Sequence, residues 1–178
     1  RSALSKRQGN ALVEPTKVWK NLDLMQLTGA VVAEWEALPP SQRPHEIMVD
    51  SIGLGAGVVD RLRELGLPAR GINVSESPAM GTTYRNLRAE LWYKAKAWFE
   101  ARDCLIPNDE ELVAELATVR YFFTSAGKIQ VEGKDEIRNR GLRSPDKADS
   151  FVLTFASDAA IGAFGANASQ KWSQPLRR

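Results

Sequence analysis

The sequence predicts an α/β fold with a partly parallel sheet, and three observations support this prediction. Two short apolar runs of strand length, residues 46–50 and 69–74, alternate with longer segments whose apolar residues recur at helical spacing. A glycine-rich turn, residues 51–57, joins the first run to a helical segment, as a crossover between parallel strands requires. The chain of 178 residues is 43% hydrophobic and 26% charged, which is typical of one globular domain.

The composition also restricts the class of protein. A formal net charge of +2 and a pI of about 8.8 permit a nucleic-acid partner without requiring one. Cys104 is the only cysteine, which excludes an internal disulfide and a structural cysteine–zinc site. No apolar run approaches the roughly 20 residues of a membrane span, and the first ten residues lack a signal core. We therefore expect a cytosolic protein, and, because the chain begins without Met, a piece of a longer one.

The first half of the chain contains a predicted hairpin, a helix and a strand–helix–strand unit. The hairpin is predicted around a turn at residues 8–10. The strand at residues 46–50 is followed by a helix that Gly66 closes at position C′, and then by the strand at residues 69–74. The first helix ends at Pro39 and Pro40, and its apolar residues are Leu24, Leu27, Val31, Trp35 and Leu38.

The second half begins with a long helix, predicted over residues 86–102. Asn108, with Glu111 three residues later, resembles a capping box at the start of another helix. A hairpin over residues 120–132, a polar connector over residues 133–143 and a final helix from Ser144 follow. The apolar face of the long helix consists of Leu87, Leu91, Ala95, Trp98 and Phe99.

The glycine-rich turn carries the first candidate site. The segment "MVDSIGLGAGVVDRL" combines a strand, a terminal acid, a tight turn and a helix start, which is the arrangement of a cofactor-binding crossover. The fingerprint G-x-G-x-x-G fails because Val58 occupies its last position. Two interpretations of this turn stay open. It is either a tight structural connection or a methyltransferase-like cofactor site, in which Glu76 would bind a ribose. Asp50 lies at the carboxyl end of a strand, where α/β folds place ligands.

The segment "RSPDKADS", residues 143–150, carries two further acids. Ser144 is predicted as the N-cap and Pro145 as N1, so Asp146 falls in the first turn, where negative charge is favoured by roughly 0.3–1 kcal/mol. This explains Asp146 but not Asp149, which is its i, i+3 neighbour and precedes an apolar segment. The two negative charges require a positive group between them, either nearby basic side chains or a divalent cation.

A basic stretch lies near these acids. It is either a solvated loop or a phosphate-contacting surface beside a metal site. Acids that hold a metal, flanked by cations that hold a phosphodiester, are what phosphodiester cleavage needs. The basic residues are Lys128, Lys134, Arg138, Arg140 and Arg143.

The order of three segments resembles the C-terminal nuclease domain of the large terminase subunit of tailed bacteriophages. These segments are "VDSIGLGAGVVDRLRELG", "YRNLRAELWYKAKAWFE" and the stretch from "IPNDEELVAELATV" to "SPDKAD". The resemblance implies a ribonuclease H-like fold, a mixed central β-sheet flanked by α-helices, over residues 1–156. Residues 157–178 are expected to form a flexible tail.

The resemblance implies a metal-dependent endonuclease that cuts concatemeric double-stranded DNA by a two-metal mechanism during packaging. Asp50, Asp146 and Asp149 would be the metal ligands for Mg²⁺ or Mn²⁺, with Lys134 beside them. The glycines of the turn would let the following helix pack behind Asp50. The residues expected to contact DNA phosphates are Lys128, Arg138, Arg140 and Arg143.

The resemblance also implies partners and a location. The partners are an N-terminal packaging ATPase domain of the same full-length chain, the portal and the small terminase subunit, in the cytoplasm of an infected bacterium. The family's first catalytic Asp lies on an opening strand, before a segment like "SALSKRQGN", so we expect that ligand upstream of Arg1. A non-catalytic DNA- or motor-interaction module is the third interpretation, beside the nuclease and the methyltransferase-like enzyme.

Overall fold

The computed structural model describes residues 1–157, which contain eight short strands and six α-helices. The strands are β1 (Ser2–Leu4), β2 (Arg7–Gln8), β3 (Ala11–Leu12), β4 (Lys17–Trp19), β5 (Ile47–Asp50), β6 (Ala69–Ile72), β7 (Tyr121–Phe123) and β8 (Ile129–Val131). The α-helices are α1 (Leu24–Glu36), α2 (Gly55–Glu64), α3 (Leu87–Glu100), α4 (Glu110–Thr118), α5 (Lys134–Asn139) and α6 (Asp146–Leu153). Two 3₁₀ turns lie at Pro40–Gln42 and Thr154–Ala156.

The strands of the described residues pair two by two. β2 and β3 form the predicted N-terminal hairpin, whose turn contains Gly9 at φ 55°. β1 pairs antiparallel with β4 around this hairpin, and that outer pair was not predicted. β7 and β8 form the second predicted hairpin. The combination of helices with parallel and antiparallel strand pairs confirms the α/β class.

The parallel pair is β5 with β6, in the register Ile47↔Ala69 to Asp50↔Ile72. Helix α2 connects the two strands and packs against both. It begins at Gly55, three residues before the predicted start, and Gly66 follows it at φ 78°, as predicted for position C′. The strand–helix–strand unit therefore places the carboxyl end of β5, with Asp50, at the edge of the sheet where ligands bind in α/β folds.

Two hydrophobic clusters hold the elements together. One packs α2 against α1 through Val58, Val59 and Leu62. The other joins α3, α4 and α6, and it is centred on Trp98, Phe151 and Phe155, whose ring centroids lie 5.4 to 5.9 Å apart. Because α6 also contacts β1 and β5, this cluster fixes the helix that carries Asp146 and Asp149.

The structure corrects two predicted helix N-caps and one predicted connector. Helix α4 is capped by Asp109, whose carboxylate accepts from Leu112 N at 3.1 Å, and not by Asn108. The predicted polar connector contains helix α5, which begins after Gly133. Helix α6 has Pro145 at its N-cap and not Ser144, because the φ and ψ of Pro145, −81° and 63°, lie outside the helical region.

The expected tail, residues 157–178, lies outside the described residues except for Ser157. Within the part of the chain that the structure describes, no helix is long and apolar enough to cross a membrane.

Candidate active site

Asp50 is the last residue of β5, and the glycine-rich segment follows it directly. Its Oδ1 accepts a hydrogen bond from Ile52 N at 3.1 Å, which closes a local turn. The glycines that follow allow α2 to pack closely on both sides, since a Cβ on Gly55 would lie 2.8 Å from the Asp50 carbonyl carbon of β5 and a Cβ on Gly57 would lie 2.4 Å from Leu24 Cδ1 of α1. Close packing therefore accounts for the glycine-rich turn, which favours the tight-connection interpretation over a cofactor-binding one.

Asp149 lies in the first turn of α6, and two cationic side chains lie beside its carboxylate. Its Oδ1 lies 2.6 Å from Arg88 Nη1, and its Oδ2 lies 3.7 Å from Lys134 Nζ. The side chain is only 16% exposed, and among the described residues neither carboxylate oxygen accepts a hydrogen bond of good geometry. Buried carboxylate oxygens normally accept hydrogen bonds. The lone pairs of Asp149 are therefore available to another partner.

Arg88 is the residue of this site that the sequence interpretation missed. It lies in the first turn of α3, and its guanidinium carbon is 5.7 Å from the ring centroid of Trp92. Its Nε and Nη2 are buried and have no hydrogen-bond partner among residues 1–157. One sequence signal was present: a cation in the first turn of a helix opposes the helix dipole, which indicates that another interaction holds it there.

Asp146 has different neighbours from Asp149. Its Oδ2 lies 3.4 Å from Arg1 Nε, and the same guanidinium is 2.7 Å from Glu111 Oε1. The structure thus keeps the two acids on one helical turn, as predicted, but gives each its own cationic partner. Asp149 and Lys134 are brought together, whereas Asp146 faces the N-terminal residue.

The amino end of α6 is capped by a residue from another helix. Glu115 of α4 accepts a hydrogen bond from Ala148 N through Oε2 at 2.9 Å. Burial raises the pKa of the Glu115 carboxyl, and the bond from Ala148 opposes that increase only in part. The cap predicted for Ser144 is therefore supplied across the α4–α6 interface.

Arg140 has a structural role within the fold, and its contact with DNA stays a prediction. Its Nε and Nη2 donate to the two carboxylate oxygens of Glu132, each at 2.6 Å, and Nη2 also donates to the Thr118 carbonyl at 3.1 Å. These bonds hold α5 against the end of β8. This edge of the guanidinium is therefore occupied within the fold.

The other predicted DNA-contacting residues lie on the surface. Arg138 forms an exposed pair with Asp135 at 2.9 Å. Arg138 and Arg143 line a pocket of about 430 Å³ together with Arg1, Lys20 and Asp146. Lys128 lies apart from these residues, directly after the Gly127 turn of the β7–β8 hairpin. The pocket is predominantly basic, which suits an anionic ligand.

The residues present fit a hard divalent cation by donor chemistry. Mg²⁺ and Mn²⁺ prefer carboxylate oxygens, and Asp50 and Asp149 supply these from two elements that pack together, β5 and α6. Within residues 1–157, however, no group of three or more Asp, Glu, His or Cys side chains is arranged to hold a metal ion. The described chain therefore provides part of a ligand set.

Comparison with known proteins identifies the fold. No family model matches the chain, and no curated protein sequence matches it. Among solved structures, the nuclease domain of the large terminase subunit gp2 of bacterial virus Sf6, with manganese and beta-thujaplicinol, has a TM-score of 0.72 and 21% identity, covering 87% of this chain and 81% of that one.

A second structure of the Sf6 nuclease domain has a TM-score of 0.71 and 20% identity over 86% of this chain and 80% of that chain. The large terminase nuclease from thermophilic phage G20c, with bound magnesium, has a TM-score of 0.52 and 17% identity over 84% of this chain and 79% of that one. These similarities confirm the ribonuclease H-like fold that the sequence resemblance implied.

Proposed function

We propose that residues 1–156 form a metal-dependent DNA endonuclease domain of a viral packaging terminase. The observation that carries this proposal is the Asp149 carboxylate. It is buried, accepts no hydrogen bond of good geometry from the described residues, and lies between Arg88 and Lys134 on a helix that packs against the Asp50 strand. The fold supports the proposal, since neighbours with this fold are nuclease domains solved with manganese, magnesium or cobalt.

Asp50 and Asp149 would hold the divalent cation. Asp146 would lie beside Asp149 on α6, in its ion pair with Arg1. The cation would lower the pKa of a bound water and neutralise charge on the phosphate that is attacked. Lys134, 41% exposed at the edge of the site, would hold a phosphate oxygen next to Asp149. The Asp50 backbone packs against Gly55, and its carboxylate accepts from Ile52 N, so both contacts would hold Asp50 at the carboxyl end of β5.

The substrate would be double-stranded DNA, bound through its backbone. Arg138 and Arg143 would contact phosphates beside the site without reading bases, since cations on an exposed surface recognise charge and not sequence. Lys128 would extend this contact from the β7–β8 hairpin. As part of a terminase, the domain would act with a packaging ATPase, a portal and a small subunit in the cytoplasm of an infected bacterium.

Nicking of a supercoiled plasmid in Mn²⁺ tests the proposal. We expect nicking that requires the metal, is lost in Asp50→Asn and Asp149→Asn, and persists in Asp60→Asn, a matched control because Asp60 is exposed on α2. Nicking that is unchanged in both site variants would overturn the assignment of these residues. Binding of the plasmid with no cleavage at any Mn²⁺ concentration, by this chain and also by a chain extended upstream to include the expected first Asp, would overturn the enzymatic proposal and favour the interaction module.

A further inference from the structure

Arg88 and Arg140 both form ion pairs, but they differ in which guanidinium nitrogens they use. The Nε–Nη2 edge of a guanidinium presents two parallel donors that match the two oxygens of a carboxylate or phosphate. In Arg140 this edge is filled by Glu132, with both distances at 2.6 Å. In Arg88 the same edge has no hydrogen-bond partner among the described residues, and only Nη1 is used, against Asp149.

The empty edge of Arg88 is shielded from solvent, and the Arg88 side chain is 13% exposed. Bulk water therefore does not satisfy the two donors, and leaving a buried donor unpaired costs about 1–3 kcal/mol, more when it is charged. The ion pair with Asp149 and the contact with Trp92 hold the guanidinium in place without using these donors. The structure thus maintains a bidentate donor next to the proposed metal-binding carboxylate.

We propose that Arg88 is a phosphate-binding residue, whose Nε and Nη2 bind the oxygens of the DNA phosphodiester that enters beside Asp149. The inference rests on the proposed function for the identity of the substrate. Lys134, which is 3.7 Å from Asp149 Oδ2 and 41% exposed, marks the open side of the site. A phosphate entering there would meet the Lys134 ammonium group first, and it would reach Nε and Nη2 of Arg88 only by displacing the groups that now shield them from solvent.

The test uses the salt dependence of duplex binding, measured by fluorescence anisotropy without divalent cations. Each phosphate contact contributes about −0.9 to the slope of log affinity against log salt concentration. We expect Arg88→Gln to reduce the magnitude of the slope by about 0.9 and to weaken binding on the order of tenfold. Arg88→Lys should keep the slope, because its charge still meets the phosphate, but should bind more weakly because it has no bidentate edge.

Lys96→Gln is the matched control. It removes one positive charge from the same helix, where Lys96 pairs with Glu100 at 2.6 Å and is well exposed. We expect its slope to equal that of the unaltered chain. An unchanged slope in Arg88→Gln overturns the phosphate assignment, even if Mn²⁺ binding measured by calorimetry falls, because that pattern belongs to a residue that only orients Asp149.

A second measurement covers the case in which Arg88→Gln does not fold. The Nε–H resonance of Arg88 is assigned by its loss in Arg88→Lys and followed in the unaltered chain as duplex is added. A shift supports the contact, and an unmoved resonance overturns it. Plasmid nicking in Mn²⁺, measured in parallel on a chain extended to include the expected upstream Asp, separates the two proposals. A reduced slope without nicking keeps the phosphate site and rejects the nuclease, whereas nicking with an unchanged slope does the reverse.

Discussion

The backbone of Gly55 lies directly against the carbonyl group of Asp50. A Cβ built on Gly55 would be 1.7 Å from the Asp50 oxygen and 2.8 Å from its carbonyl carbon. Both of these atoms belong to the main chain, which cannot move aside as a flexible side chain can. The first residue of α2 can therefore lie this close to β5 only if it is glycine. The position of Asp50 in turn depends on where α2 begins.

Gly55→Ala should destabilise the fold and displace Asp50. Overpacking of this kind costs about 1–3 kcal/mol, and we expect the free energy of unfolding in urea to fall by at least that range while Mn²⁺-dependent nicking is lost. Gly57→Ala is the control, because its Cβ would meet the movable end of the Leu24 side chain. Equal losses in the two variants would contradict a specific Gly55–Asp50 contact.

Asp149→Asn and Asp146→Asn should differ in activity. Asp149 has both oxygens free of good hydrogen bonds from the described residues, whereas Asp146 is engaged by Arg1, which also pairs with Glu111. We expect the nicking rate at saturating Mn²⁺ to fall by more than about a hundredfold in Asp149→Asn, and by less than about tenfold in Asp146→Asn. The reverse ranking would identify Asp146 as the principal ligand.

The Glu132–Arg140 pair should make stability depend on pH. The hydrogen bonds from Arg140 hold the pKa of Glu132 below its ordinary value of 4.5, against an opposing effect of burial. A lowered pKa in the folded state means that the pair stabilises fully above pH 4.5 and that its contribution is lost as pH falls through the folded-state pKa.

Urea denaturation of the unaltered chain and of Glu132→Gln over a pH series measures this contribution. We expect Glu132→Gln to be less stable by about 2 kcal/mol at neutral pH, with the difference shrinking once the pH drops below 4.5. A difference that stays constant down to acid pH would show that the ionised carboxylate is not what Arg140 binds.

The cap that Glu115 provides to α6 should contribute measurably to the free energy of unfolding. Glu115→Ala removes the acceptor for Ala148 N, and we expect a loss of about 1 kcal/mol in the free energy of unfolding. Glu115→Gln keeps an acceptor and should lose less. Glu110→Ala, which alters an exposed residue of the same helix, serves as the reference; a loss there as large as in Glu115→Ala would indicate a general effect of α4.

Local patterns in the sequence were sufficient for much of the fold. The apolar run before Asp50, the spacing of Leu91, Ala95 and Trp98, and the glycine after α2 each act over a few residues, so their elements were predicted to within a few positions. Helix α5 was missed because its segment is short and polar. Its signals were present, however: Glu136 bonds back to Gly133 N at 2.6 Å, and Gly141 follows at φ 77°.

The site depends on contacts that no local pattern encodes. Asp149 meets Arg88 across the interface between α6 and α3, and the cap of α6 comes from α4. The acids themselves were singled out because Asp50 ends a strand and because the start of a helix accounts for Asp146 but not for Asp149. Their partners were not predicted, since an ion pair between residues far apart in the sequence leaves no spacing to read.

The ionic environment of Asp149 bears on which cations the site would accept. No backbone amide fixes the direction of the lone pairs of Asp149, because its oxygens are held by ion pairs and accept no hydrogen bond of good geometry from the described residues. Such a group would place fewer demands on the radius of a bound ion than a carboxylate that is held by backbone amides. Selectivity among divalent metals would then depend on the stiffer partner, Asp50, whose backbone is clamped by its glycine neighbour.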